Sequence, residues 1–347
     1  MRSLIAAATL LCLAAPAAAV DTVNLRGEQS PVIGTITGVS KDAVTVNRKV
    51  SGDQEVPSNE IESVEFDGEP PAMKLARTAE RNGRTDEALE KLDDVLGQIG
   101  DNKPLRGEVT FLIARAKARR GEADPDSRAD AIAALESFAS EYRDHYRYYE
   151  SQLRLGRLHA LAGSAAVAQA VFQRLADSPY ADHKMAAEVA AADAKFAAGD
   201  MAAAKAGYEA VAGQTPNSAG ETSRRLAALL GKAKVETAEG QFDAAIATLE
   251  EVIRGTSAED TGVQAEAYLR QGDAYAAKGG TAKAAVMAYL HVDVIPSLAR
   301  ESASHAEALF RLSTLWPAVG HADRGAEAAA RLREMYPGSE WTKKLAG

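Results

Sequence analysis

The feature that most constrains this chain is a glycine that returns about every forty residues. Gly83, Gly121, Gly163, Gly199, Gly240, Gly279 and Gly320 are separated by 38, 42, 36, 41, 39 and 41 residues. Each follows a segment of roughly 12–18 residues with helical periodicity. Glycine takes the left-handed conformation that commonly ends a helix without a Cβ penalty, so each is expected to close the first helix of a hairpin. Five residues further on stands an alanine, at Ala88, Ala168, Ala204, Ala245 and Ala284. A small side chain there lets the second helix cross the first closely. A unit of this size cannot bury its apolar face alone and must stack on neighbours. The expected fold is therefore mainly α, an α-solenoid of seven helical hairpins over residues 69–347. Low aromatic content, 5%, together with abundant alanine suits closely packed helices.

Residues 20–68 follow a different rule. Val23, Leu25, Val32, Ile36, Val44, Val46, Val56, Ile61, Val64 and Phe66 alternate with polar neighbours, the period of half-buried strands. Turns are signalled at Arg26-Gly27, Lys41-Asp42, Ser51-Gly52-Asp53 and Asp67-Gly68. Five short strands predict a small all-β barrel, because closure removes exposed edges. Pro70-Pro71 marks the boundary, since proline ends a strand and opens a helix. With its own alternating core, this module is expected to fold and melt separately from the helices. The strand and turn order resembles SH3-like and Sm-like barrels.

The first nineteen residues read as a cleaved leader. Arg2 is the positive start, Leu4 to Leu13 is apolar, and Ala17-Ala18-Ala19 offers the small residues of a cleavage site. The expectation is export, most simply to a periplasm, with cleavage after Ala19. The sequence's single cysteine, Cys12, lies in this leader, so the mature chain has no thiol for a disulfide, a nucleophile or a zinc ligand. No other apolar run reaches the length of a membrane span. The net charge of −9 argues against a nucleic-acid partner, which needs a basic face.

Within the helical part, Leu155-Gly156, Gly163, Ala168, Phe172 and Pro179 in the third unit resemble a tetratricopeptide repeat (TPR). So do Gly272, Tyr275, Gly279 and Ala284 in the sixth. Ser178-Pro179-Tyr180-Ala181-Asp182 and the ending Tyr336-Pro337-Gly338-Ser339 resemble exported bacterial TPR proteins of the envelope-coordinating, Tol–Pal-associated kind. The resemblance implies a scaffold that binds a protein or peptide, without a cofactor and without catalysis. The spacings exceed the usual repeat length, and the second unit carries an insertion, Glu122 to Arg128.

No phosphate-binding glycine loop, His-Glu-x-x-His or Gly-x-Ser-x-Gly is present in the sequence. No two of the six histidines stand three or four residues apart, so no helix face offers a pair of imidazoles to a metal. Asp124, Asp126 and Asp130 mimic a calcium loop only slightly, lacking its turn glycine and closing glutamate. Trp316, Tyr336 and Trp341 fall at the end of the last unit, where they are expected to cap the stack.

Two groups are candidates for partner binding. Tyr148 and Tyr149, in His145-Tyr146-Arg147-Tyr148-Tyr149, belong to residue types enriched in interface hot spots. The resemblance to TPR folds also implies a concave face lined by the first helices. On it, the position after the motif glycine holds Arg77, Arg115, Arg157, Asp193, Lys234, Asp273 and Thr314, with Arg81 and Arg119 one turn on. Arg77, Arg115, Arg119 and Arg157 form a basic stripe suited to an acidic segment of a partner. Asp193, Glu266, Asp273 and Glu307 tilt the later part acidic. Arg115 and Arg157 are expected to face solvent.

Overall fold

The computed structural model describes residues 20–27, 30–258 and 260–346. The expected leader over residues 1–19 lies outside them. The chain opens with β1 (Asp21–Leu25), β2 (Val32–Val39), β3 (Ala43–Arg48), β4 (Gly52–Pro57) and β5 (Ile61–Glu65), with a short 3-10 turn between β4 and β5. The five form one antiparallel sheet in the order β4-β3-β2-β1-β5. The alternating residues Val23, Val44, Val46, Val56, Ile61 and Val64 are the buried ones, as the period-two pattern requires. Asp21 ties the sheet together, accepting from the backbone N–H of Ile36 at 2.6 Å and of Asp67 at 2.7 Å.

Seven helical hairpins follow. They are α1 (Pro71–Arg81) with α2 (Thr85–Gln98), α3 (Lys103–Ala123) with α4 (Arg128–Glu141), α5 (Tyr148–Leu161) with α6 (Ala165–Ala176), and α7 (Ala181–Ala197) with α8 (Met201–Ala212). Then come α9 (Ala219–Ala238) with α10 (Phe242–Gly255), and α11 (Thr261–Lys278) with α12 (Ala282–Val294) and the single turn α13 (Pro296–Ala299). The chain ends with α14 (Ser302–Ala318), α15 (Ala322–Met335) and a last short helix, α16 (Glu340–Leu345). Local signals start several of them. Pro71 opens α1, Asn102 caps α3, Asp200 caps α8 and Ser218 caps α9 with side-chain oxygens.

Six of the seven recurring glycines end the first helix of a hairpin with positive φ: Gly83, Gly163, Gly199, Gly240, Gly279 and Gly320. Gly121 does not. It sits inside α3, where an added Cβ would stand 3.0 Å from Cβ of Ala131. Close helix packing, rather than a left-handed turn, selects glycine at that position. The turn of the second hairpin is made instead by the insertion, through Asp124 and a 3-10 turn over Pro125–Ser127. The helix-interior glycines have a different task again. A Cβ on Gly156 would overlap the Phe172 ring, and one on Gly272 the Tyr289 ring, so each lets an aromatic side chain of the second helix close onto the first.

Two features go beyond a simple row of hairpins. The β-sheet does not have a core to itself. Val23, Val44, Ile61 and Val64 belong to one buried apolar cluster with Met73, Leu92, Leu105, Val109, Phe111, Leu112 and Tyr146. The expectation of a separately melting module therefore gives way to a sheet packed on the first two hairpins. Further along, Tyr149 donates to Asp42 at 3.0 Å, Tyr180 donates to the Asp42 carbonyl, and Asn59 donates to Asp182 at 3.0 Å.

The second feature is closure. Each first helix from α3 to α14 packs on the next, and α14 also packs on α3. Arg300 donates to the Arg81 carbonyl at 2.8 Å, Lys343 pairs with Asp126 at 2.8 Å, and Gly338 lies against Asp124. The insertion in the second hairpin is thus a docking point for the chain's far end. There Trp341 packs on Phe310 and Trp316 on His321, both tryptophans half-buried. Arg311, Lys344 and Arg324 stand over their faces.

Candidate binding site

The inner face of the closed row is polar, and most of its charges are joined to one another. At the β-module end, Arg77 is held by Glu69 at 2.5 Å and by the Val64 carbonyl at 2.7 Å. Arg115 makes a two-pronged pair with Glu80, at 2.5 and 2.6 Å. Arg119 donates to the Glu80 carbonyl at 3.0 Å. Glu150 receives Arg147 at 2.9 Å and Arg154 at 3.1 Å.

The deepest element is Glu108 on α3. It accepts from Tyr146 at 2.5 Å and pairs with Arg147 at 3.2 Å, while Arg147 also donates to the Glu62 carbonyl of β5 at 2.9 Å. Burial alone would raise the Glu108 pKa. The Arg147 charge and hydrogen bonds, aided by His145 and Arg77, overrule burial and bring it to about 2. Glu80 and Glu150 are depressed in the same way, burial being outweighed by their arginines. Buried His145 and His183 shift in the direction that burial dictates, to about 4.

The stripe read from the sequence divides here. Arg77 and Arg115 are largely buried and paired, with side chains 15% and 17% exposed. Arg119 is partly covered and shares Glu80. Arg115 therefore does not face solvent: Glu80, one turn after Arg77 on α1, points to the same face and claims it. Arg157 does face solvent. Tyr149 is buried against the β-module and Tyr148 half-buried, so the β-module occupies the surface that Tyr149 would otherwise offer. Because Arg115 completes the Glu80 pair, Arg115→Glu is expected to destabilise the fold by about 3–5 kcal/mol, the usual cost of stranding a buried charge. Urea unfolding of the variant measures this, and an unchanged midpoint would contradict the pairing.

Toward the other half the signs are mixed. Lys234 pairs with Glu266 at 2.9 Å, and Arg270 with Glu307 at 2.6 Å and Asp273 at 2.5 Å. Tyr208 donates to Asp193 at 2.6 Å and Tyr289 to Asp273 at 2.8 Å. A cavity of about 440 Å³ opens between α7, α9 and α11, lined by Phe196, Lys234, Thr237, Ala238, Glu266, Arg270 and Asp273. On the β-module, a smaller cleft of about 260 Å³ is lined by Val20, Ile33, Gly34, Arg48, Lys49, Val50 and Ser51.

Two arginines that the sequence pattern did not single out belong to the inner face. Arg224 on α9 has a buried Nε with no hydrogen-bond partner among the described residues. Arg26, legible in the sequence only as part of a turn, lies close enough to repel it. No group of three or more His, Cys, Asp or Glu able to hold a metal ion occurs among the described residues. None of the described helices is long and apolar enough to cross a membrane.

Residues 144–292 match the tetratricopeptide repeat-like domain family, so the chain contains a TPR-like domain spanning the third to sixth hairpins. No curated protein matches the chain. Among solved structures it is similar to a tetratricopeptide repeat protein from Parabacteroides merdae ATCC 43184, with 15% identity and a TM-score of 0.44 over 76% of this chain and 91% of that one. It is also similar to a monomeric mutant of IFIT1 with Gppp-AAAA, with 14% identity and a TM-score of 0.44 over 74% of this chain and 58% of that one.

Proposed function

We propose that this chain is an exported, non-enzymatic scaffold whose inner helical face binds an acidic segment of a protein partner. The observation that carries the reading is the charge of that face. In a chain of net charge −9, Arg77, Arg115, Arg119, Arg147, Arg154 and Arg157 stand at the β-module end with Glu69, Glu80, Glu108 and Glu150. An enclosed face with a surplus of cations attracts an anionic segment and strengthens each contact by partial desolvation. TPR-like stacks offer extended surfaces suited to peptides. Export rests on the leader pattern before Val20, and the Ser178-Pro179-Tyr180 and Tyr336-Pro337-Gly338 segments support an envelope setting. The strand order, with its 3-10 turn before β5, supports reading the β-module as a small SH3-like barrel.

A second reading has its own observation. Val20, Ile33 and Val50 are exposed around the β-module cleft, Val50 at 98%, which favours an adaptor whose β-module recognises the partner. Photo-crosslinking separates the two. With a photoreactive residue at Leu161, exposed one turn after Arg157 on α5, or at Ile33, and labelled hexaglutamate as the probe, the first reading expects capture from position 161, fading in high salt. Capture from position 33 alone would overturn it in favour of the adaptor.

A further inference from the structure

Arg26 and Arg157, from distant parts of the chain, both bear on Arg224 at the inner face, and none of the three forms an ion pair with a carboxylate among the described residues. Arg157 projects from α5 into solvent. Arg224 lies in the N-terminal half of α9. Arg26 sits in the turn after β1, which is held against the start of α9: an added Cβ on Gly27 would lie 3.2 Å from Cβ of Ala219. No carboxylate oxygen among the described residues comes within 4.0 Å of a nitrogen of any of the three.

Two acids lie near Arg224 without pairing with it and offset only part of its repulsion. Asp182 accepts from Asn59 at 3.0 Å and faces the neutral His183 at 3.8 Å. Glu150 is held by Arg147 and Arg154. Burial, followed by repulsion from Arg157, lowers the Arg224 pKa to about 10, with Arg26 repelling as well and Asp182 and Glu150 opposing only in part. A guanidinium enclosed in this way costs stability unless an anion completes it.

We propose that Arg26, Arg157 and Arg224 form an anion subsite that takes a side-chain carboxylate of an acidic peptide. The site joins the β-module to the helices, so its occupant is read by both. A guanidinium fork suits a planar oxyanion better than an ammonium group does. The subsite rests on the scaffold reading above and gives it a position.

The test is thermal melting and binding with N-acetylated, C-amidated hexaglutamate, which offers side-chain carboxylates only, against hexaglutamine as control. Hexaglutamate is expected to raise the melting temperature of the wild-type chain and hexaglutamine to leave it unchanged. Without peptide, Arg224→Gln is expected to melt higher than wild type, because the enclosed charge is gone. It should also bind hexaglutamate roughly tenfold more weakly, the loss of one charge-assisted contact. Arg157→Gln, at an exposed position that tolerates exchange, should show the same loss of affinity. Wild-type affinity in both variants would overturn the subsite. If a photoreactive residue at Leu161 still captures the peptide in that case, the scaffold reading survives; if no inner-face position does, both fall.

Discussion

A chain that begins at Pro70 is expected to lose the helical signal of its first two hairpins and to melt far below the intact protein. Removing residues 20–68 uncovers Met73, Leu105, Val109, Phe111, Leu112 and Tyr146, all part of the apolar cluster shared with the sheet. Each fully buried side chain of this size contributes about 1.5–3 kcal/mol. Even partial exposure of six of them approaches the whole stability of an ordinary domain, about 5–15 kcal/mol. The deletion also strips Arg77 of the Val64 carbonyl and Arg147 of the Glu62 carbonyl, leaving two enclosed guanidinium groups short of acceptors. Circular dichroism against temperature reads the outcome. A full helical signal with an unchanged midpoint would show that the sheet contributes nothing to the stack.

Acid should unfold the protein in two stages. His145 and His183 are buried and have pKa values of about 4, against an ordinary 6.5. The unfolded chain takes up their protons first, so the stability of keeping them neutral is whole above pH 6.5 and is lost as the pH falls toward 4. Each contributes on the order of 3 kcal/mol. Glu108 follows in the next window. Its pKa of about 2 lies below the ordinary 4.5, so its contribution is present above pH 4.5 and disappears as the pH falls through 2. Urea midpoints measured from pH 8 to pH 3 should drop steeply through the histidine window. In Glu108→Gln the lower stage should be smaller, and the variant should be less stable at pH 7 by about 3–5 kcal/mol, since Arg147 stays buried without its partner. A flat profile down to pH 4.5 would show that the imidazoles are hydrated in the native state.

The repeat was legible because it is written in backbone chemistry. A residue with positive φ at the end of a helix must be glycine or pay for it, and six of the seven recurring glycines mark such ends. Gly121 misled because the same residue type also serves where two helices touch. The strands were legible from alternation alone. The shared core was not, because an apolar residue such as Leu105 or Ile61 records that it is buried and not what buries it.

The candidate site shows the same divide. The alignment of the first helices, with the concave face that the resemblance to TPR folds implies, placed Arg77, Arg115 and Arg157 on one face. It could not separate the two that are paired from the one that is free, since Glu69 and Glu80 reach them from other registers. Arg26 and Arg224 carry no periodic signal at all. Their convergence depends on how the β1–β2 turn meets α9, a tertiary fact with no local signature.

The contact of α14 with α3 bears on how a chain of this kind changes over generations. An open stack can gain or lose a hairpin at little cost, because a new unit needs only one neighbour. Where the last unit must also reach the first, the number of units becomes a matter of geometry. A duplicated hairpin would push Arg300 and Lys343 away from Arg81 and Asp126, and a deleted one would leave them short. Insertions should therefore be tolerated in turns on the outer rim and rejected as whole repeats, which ties the length of this protein to its curvature.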